Sequence, residues 1–252
     1  MTPARRVSCL GVLVVDALSG PLAEYPLPRV RPQVTTPHLR FAAGGGAANT
    51  SIALARMGLS VAAFAKVGRD PNAAFLQREL ADSGVDTAGI RLSDTETTPF
   101  TYVGIHATGD RTFIHTPGAN LTFGPTDLDP EALFACDYLV YQDYWVKPAM
   151  DGAPAAALLA EARRRGIATF LDECWGLGPD RASFELALPH CDFVMPSVDD
   201  LQCIYPDLAP EQVADRLLAC GAGTVALKRG AQGCMLAWHG GRLAVSAVPA
   251  KV

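Results

Sequence analysis

Short apolar runs alternate with segments of helical period along most of this chain, and that alternation constrains its fold more than any single motif. Val7 to Val15 is a near-continuous apolar run, the pattern of a strand buried on both faces. Further strand-like runs lie at Ser60 to Val67, Tyr138 to Tyr141, Ile167 to Leu171, Phe193 to Met195 and Thr224 to Leu227. Helical segments are predicted at Pro71 to Ser83, Ala153 to Arg165 and Pro210 to Ala219, the first with proline in its opening turn. Strand, helix, strand in this order predicts an α/β fold with a mainly parallel sheet. The runs end in polar residues, namely Asp16, Asp143, Asp172, Ser197 and Lys228. In open α/β sheets, ligands bind at those carboxyl ends.

Two segments break the rhythm. Leu18 to Arg40 holds five prolines, which excludes a central strand or a long helix but leaves room for short edge strands at Arg29 to Val34 and His38 to Ala42. Phe100 to His106 and Arg111 to His115, joined by Thr108-Gly109-Asp110, predict a hairpin. Paired together, residues 18–41 and 97–116 form an expected small β lid on a main domain of residues 1–17, 42–96 and 117–252. His38 and His115 have no partners at ligand spacing and read as lid or packing residues. A last hairpin is expected from Met235 to Trp238 and Arg242 to Ala247.

Gly44 to Gly58, GGGAANTSIALARMG, opens with three glycines and runs into a helix. Without Cβ atoms at the bend, the backbone can take positive φ and a ligand can approach its amides. Ala48, Ile52, Ala55 and Leu59 share an apolar stripe, while Asn49 and Thr50 sit in the first turn near the positive end of the helix dipole. The pattern serves either tight strand-to-helix packing or the binding of a polar or anionic small molecule.

Composition narrows the partners. A net charge of -5 with no long basic run argues against a nucleic-acid surface. Seven cysteines without C-x-x-C spacing, mostly in apolar surroundings, predict reduced thiols and a cytoplasmic location. No apolar stretch is long enough for a bilayer span, and the run after Arg5 and Arg6 reads as a first strand. A dinucleotide-dependent oxidoreductase fails on order, because its glycine motif follows the first strand at once and here some thirty residues intervene.

Taken in sequence, Asp16, the glycine stretch, KVGRD at 66–70, LADSGVD at 80–86, Thr98-Pro99-Phe100, PGAN at 117–120 and LKRGAQG at 227–233 resemble the ribokinase (PfkB) family of carbohydrate kinases. The likeness spans essentially the whole chain. It implies a doubly wound α/β domain with a small β lid, transferring the γ-phosphoryl group of ATP to a hydroxyl of a sugar-like alcohol, with Mg²⁺. By similarity, Asp16, Gly44, Gly45, Gly46 and Asn49 face the sugar. Asn120 lies near the same pocket or forms an Asx turn after Gly118. Ser197, Lys228, Gly230 and Gly233 face the nucleotide, and Asp200 reaches the metal through water. Ser197 and Asp200 stand where the family's P-N-x-x-E has Asn and Glu.

The resemblance departs at one further place. The family's G-A-G-D segment, whose amides hold the transferring phosphate and whose Asp is the base, has no counterpart among the 252 residues. The expectation is therefore a C-terminally truncated chain without its catalytic base and impaired in turnover, each such element being worth about a hundredfold or more in rate. A non-catalytic sugar-binding pseudokinase and a nucleoside kinase are the alternatives. Extended lid edges also suggest a homodimer formed through the lid.

Overall fold

The structure, a computed structural model, describes residues 5–22, 35–174, 176 and 178–248. The expected edge strand at Arg29 to Val34 lies outside them. Fourteen strands are described: β1 (Arg6–Leu10), β2 (Val14–Leu22), β3 (His38–Gly44), β4 (Ser60–Gly68), β5 (Val85–Asp86), β6 (Ile90–Ser93), β7 (Phe100–His106), β8 (Arg111–Thr116), β9 (Tyr138–Tyr144), β10 (Ala168–Glu173), β11 (Phe193–Val194), β12 (Thr224–Lys228), β13 (Cys234–Trp238) and β14 (Gly241–Val245). The α-helices are α1 (Gly46–Arg56), α2 (Pro71–Asp82), α3 (Pro130–Leu133), α4 (Ala153–Arg164), α5 (Arg181–Ala187), α6 (Val198–Leu201) and α7 (Pro210–Ala219).

The main sheet runs β14-β13-β12-β11-β10-β9-β1-β4-β5, with β6 also on β4. From β12 to β5 every pairing is parallel, and only the β12-β13-β14 meander is antiparallel. Its two faces carry separate cores. Val7, Cys9, Val61, Ala63 and Val140 pack with α1 and α2. Leu10, Leu139, Tyr141, Leu171, Val194 and Leu227 point the other way, against α4, α5 and α7. This alternation is what burial of parallel strands on both sides requires.

The run Val7 to Val15 is not one strand. It divides at Gly11 to Leu13, so β1 is central in the main sheet while β2 crosses into a second sheet ordered β3-β2-β7-β8. Asp16 consequently sits within β2, opposite Ala42 of β3 and Thr101 of β7, and not at the end of a main-sheet strand. Hydropathy could not reveal the break, because Val12 and Leu13 are buried at the junction as fully as a strand interior.

Asp70 explains why two of the sequence motifs occur together. It caps α2 by accepting from Ala73 N at 3.0 Å, and it also accepts from Thr98 N at 2.8 Å and Thr98 Oγ1 at 2.7 Å. The Thr98-Pro99-Phe100 segment, which leads into β7, is thereby tied to the end of β4. In α1 the fully buried residues are Ala47, Ala48 and Ser51, while Ile52 and Ala55 of the expected stripe are half-buried. No helix among the described residues is long and apolar enough to cross a membrane.

Candidate functional site

Polar side chains of interest stand in two places, in the second sheet around Asp16 and at the carboxyl ends of the main sheet's strands. On one side stands Asp16. Gly44 is the residue that admits its carboxyl group: a Cβ at Gly44 would lie 2.6 Å from Asp16 Cγ. Burial raises the Asp16 carboxyl, and Thr101 beside it pulls the other way. Thr101 is held in turn by His115, with Oγ1 2.9 Å from Nδ1, and burial keeps that imidazole below its usual range. Sequence reading missed Thr101 and took His115 as a lid or packing residue, and His115 does lie in β8 of the second sheet. Their meeting follows from the register of the β7-β8 hairpin, in which Thr101 lies opposite His115.

Gly45, at φ 87°, makes the bend into α1, and a Cβ there would strike the Val12 carbonyl. Gly46 N donates to Asp143 Oδ1 at 2.9 Å. Asn49 lies exposed in the first turn of α1. Asn120 is buried in the 118–121 turn that follows β8, a different segment from the Asp16 and Gly44 pair.

On the other side, β12 ends at Lys228, which pairs with Ser197 in a parallel bridge beyond β11. Lys228 Nζ donates to both Asp172 oxygens, at 2.8 and 2.9 Å. Burial works against the Lys228 ammonium, but the Asp172 carboxylate prevails and raises it. Ser197 caps α6 by accepting from Asp200 N at 3.0 Å, its hydroxyl donates to Asp200 Oδ2 at 2.6 Å, and its amide donates to Glu173 Oε1 at 2.9 Å. Glu173 is a second residue that sequence reading overlooked. Its Oε2 is buried without a hydrogen-bond partner, and burial, with Asp172 next to it, holds its carboxyl well above the usual carboxylate range.

The two glycines expected on the nucleotide side, Gly230 and Gly233, differ. A Cβ at Gly230 would enter open space, whereas at Gly233 it would strike the backbone of residues 245–247, so Gly233 serves the β13-β14 packing. An apolar groove of about 420 Å³, lined by Leu54, Tyr138, Val140, Phe170 and Met195, closes on Gln142, Asp172 and Lys228. Of the residues singled out for sugar or nucleotide, it includes Lys228 alone.

The chain is similar to known proteins over nearly its whole length. An ATP-dependent ribose-1-phosphate kinase of Halopiger xanaduensis is 26% identical over 72% of this chain and 58% of its own. A ribokinase of Staphylococcus aureus is 26% identical over 77% and 63% respectively. The chain thus spans about six-tenths of the length of these curated relatives. The structure of an Arabidopsis thaliana ribokinase complexed with ribose and ATP superposes with a TM-score of 0.78 at 18% identity, covering 98% of this chain and 80% of that one. The pattern of the pfkB family carbohydrate kinases matches residues 7–252. With its parallel main sheet, second sheet and polar strand ends, the chain belongs to the pfkB family of carbohydrate kinases.

Proposed function

We propose that this chain binds a sugar-like alcohol and ATP in the cleft between its two sheets, for transfer of the γ-phosphoryl group to a sugar hydroxyl. The observation that carries the reading is the pairing of Asp16 with Gly44 on one side of the cleft and Lys228 with Ser197 on the other. Phosphoryl transfer depends mainly on positioning and on charge stabilisation, and a cleft covered by a second sheet serves both.

Asp16 accepts hydrogen bonds from sugar hydroxyls, oriented by Thr101. Asn49 adds a donor and an acceptor, Asn120 borders the same space, and Gly44, Gly45 and Gly46 support the sugar side by making room for Asp16, the Val12 carbonyl and Asp143. The second sheet, β3-β2-β7-β8, acts as the lid that excludes water. Lys228, exchanging Asp172 for phosphate, neutralises nucleotide charge, and the open backbone at Gly230 lies beside it. Gly233 supports that loop.

A magnesium ion would be held near Asp200, Asp172 and Glu173. The unpartnered, buried Glu173 oxygen and an all-oxygen donor set suit such an ion. Among the described residues no group of three side chains stands ready to ligate a metal directly, so the fit is to a hydrated ion. When bound, Mg²⁺ screens phosphate charge.

The test is titration of ribose, fructose and a nucleoside into the chain, with and without ATP and Mg²⁺, alongside product detection. Saturable binding of one of them, lost in Asp16→Ala, supports the reading. Binding without product in the presence of ATP favours a sugar-binding role without transfer. No binding across the panel refutes the proposal.

A further inference from the structure

At the carboxyl end of β9, the chain makes a turn with two non-glycine residues in the left-handed region, Asp143 at φ 59° and Trp145 at φ 77°. A bulky residue in that region is strained and persists only when its surroundings fix it. Here the surroundings do. Asp151 accepts from Tyr141 Oη at 2.6 Å, from Trp145 N at 3.0 Å and from Lys147 N at 3.0 Å. Lys147, fully buried, donates Nζ to the carbonyls of Gln142 and Asp143 at 2.6 and 2.7 Å, lies 3.7 Å from Asp151, and stacks over the Tyr141 ring.

This effort aims one side chain. Asp143, only 4% exposed, accepts from Val12 N through Oδ2 and from Gly46 N through Oδ1, both at 2.9 Å. Val12 lies in the three-residue crossing between β1 of the main sheet and β2 of the second. Gly46 opens α1 directly after the bend at Gly45. Glycine at 11 and at 46 leaves the room the carboxylate needs, since a Cβ at Gly11 would come within 2.7 Å of Oδ2 and one at Gly46 within 2.6 Å of Oδ1. Both oxygens are thus engaged by backbone amides and shielded from the cleft.

We infer that Asp143 is a positioning residue: its carboxylate clasps the crossing between the two sheets to the glycine-rich bend, and so sets how the second sheet and the Asp16 side chain it carries stand over the sugar side of the cleft. The clasp acts through Val12 and Gly46 and does not touch the substrate. Its effect on sugar affinity rests on the proposed function; its effect on the crossing does not.

The experiment is Asp143→Asn, which replaces one acceptor by a donor facing an amide. Amide hydrogen exchange is read for residues 11–22, 44–56 and, as a remote control, 153–164. Exchange is expected to accelerate at least tenfold in the first two segments and to stay unchanged in the third. Sugar affinity is expected to fall at least tenfold with ATP affinity kept within twofold. Unchanged exchange at Val12 and Gly46, or equal acceleration in all three segments, overturns the clasp. Should the variant not fold, the unaltered protein decides: through-hydrogen-bond NMR couplings from the Val12 and Gly46 amides to the Asp143 carboxyl carbon are expected, and their absence refutes the inference. If no sugar binds the unaltered chain, the proposed function falls while the exchange pattern still judges the clasp.

Discussion

Replacing Gly44 by alanine tests the proposed sugar side of the cleft through a residue that has no side chain of its own. Gly44 ends β3 in ordinary extended backbone, so alanine adds no conformational strain and the new methyl is the whole perturbation. That methyl would lie 2.6 Å from Asp16 Cγ, about an ångström closer than van der Waals contact allows. Asp16 belongs to the neighbouring strand, whose backbone is fixed by pairing on both sides, so its carboxyl group has to swing away. Overpacking of this kind costs about 1–3 kcal/mol in stability. A displaced carboxylate also forfeits its charge-assisted bonds to a hydroxyl, about 1.5–3 kcal/mol, or about ten- to a hundredfold in sugar affinity. Calorimetric titration reads the affinity and thermal unfolding the stability. Gly58→Ala is the control: it forces alanine to φ 89° at the end of α1 with nothing within 4 Å, so it should cost stability and leave affinity alone. If Gly44 acts through Asp16, the double variant with Asp16→Ala binds no worse than Asp16→Ala alone. Additive losses, or unchanged affinity in Gly44→Ala, would refute the reasoning.

Other outcomes follow from the same geometry. Asp70→Ala removes a helix cap and the acceptor for both Thr98 donors, and should lower unfolding free energy by about 2–3 kcal/mol in denaturant titration. Lys228→Ala should weaken ATP at least tenfold and leave sugar affinity within twofold, measured by titration of each ligand. Glu185, hydrogen-bonded by Arg216, Arg181 and Tyr205, has its carboxyl held down at about 2. A depressed folded pKa gives stability that is complete above the unfolded carboxylate range and lost as pH falls toward 2. Because the Arg181 and Arg216 side chains are about half exposed, the contribution is about 1–2 kcal/mol, and Glu185→Gln should flatten that part of the acid unfolding profile.

The parts of this molecule legible in its sequence are those fixed by local patterns. Proline at the first turn and an aspartate cap set α2 at Pro71–Asp82, and the Gly109 turn sets the hairpin between Phe100 and Thr116. Asp16 and the glycine stretch were legible as a pair, yet not the sheet that holds Asp16, since a near-continuous apolar run hides the crossing at Gly11 to Leu13. Asp143 was visible only as a polar strand end. Its partners lie 131 and 97 residues away, so its role exists only once β1, β9 and α1 are adjacent. Glu173 was silent for a similar reason: its burial comes from β10 ending beneath Ser197, and no spacing in the sequence records that.

As proposed, Asp16 anchors the sugar on one face of this cleft. The most direct measurement is a calorimetric titration of ribose and fructose into the chain and into Asp16→Ala, with matched unfolding curves to show that both are folded. The account predicts saturable binding of at least one sugar by the unaltered chain and a loss of at least tenfold in the variant. Equal affinity in the two proteins, or no binding by the folded chain, would contradict it.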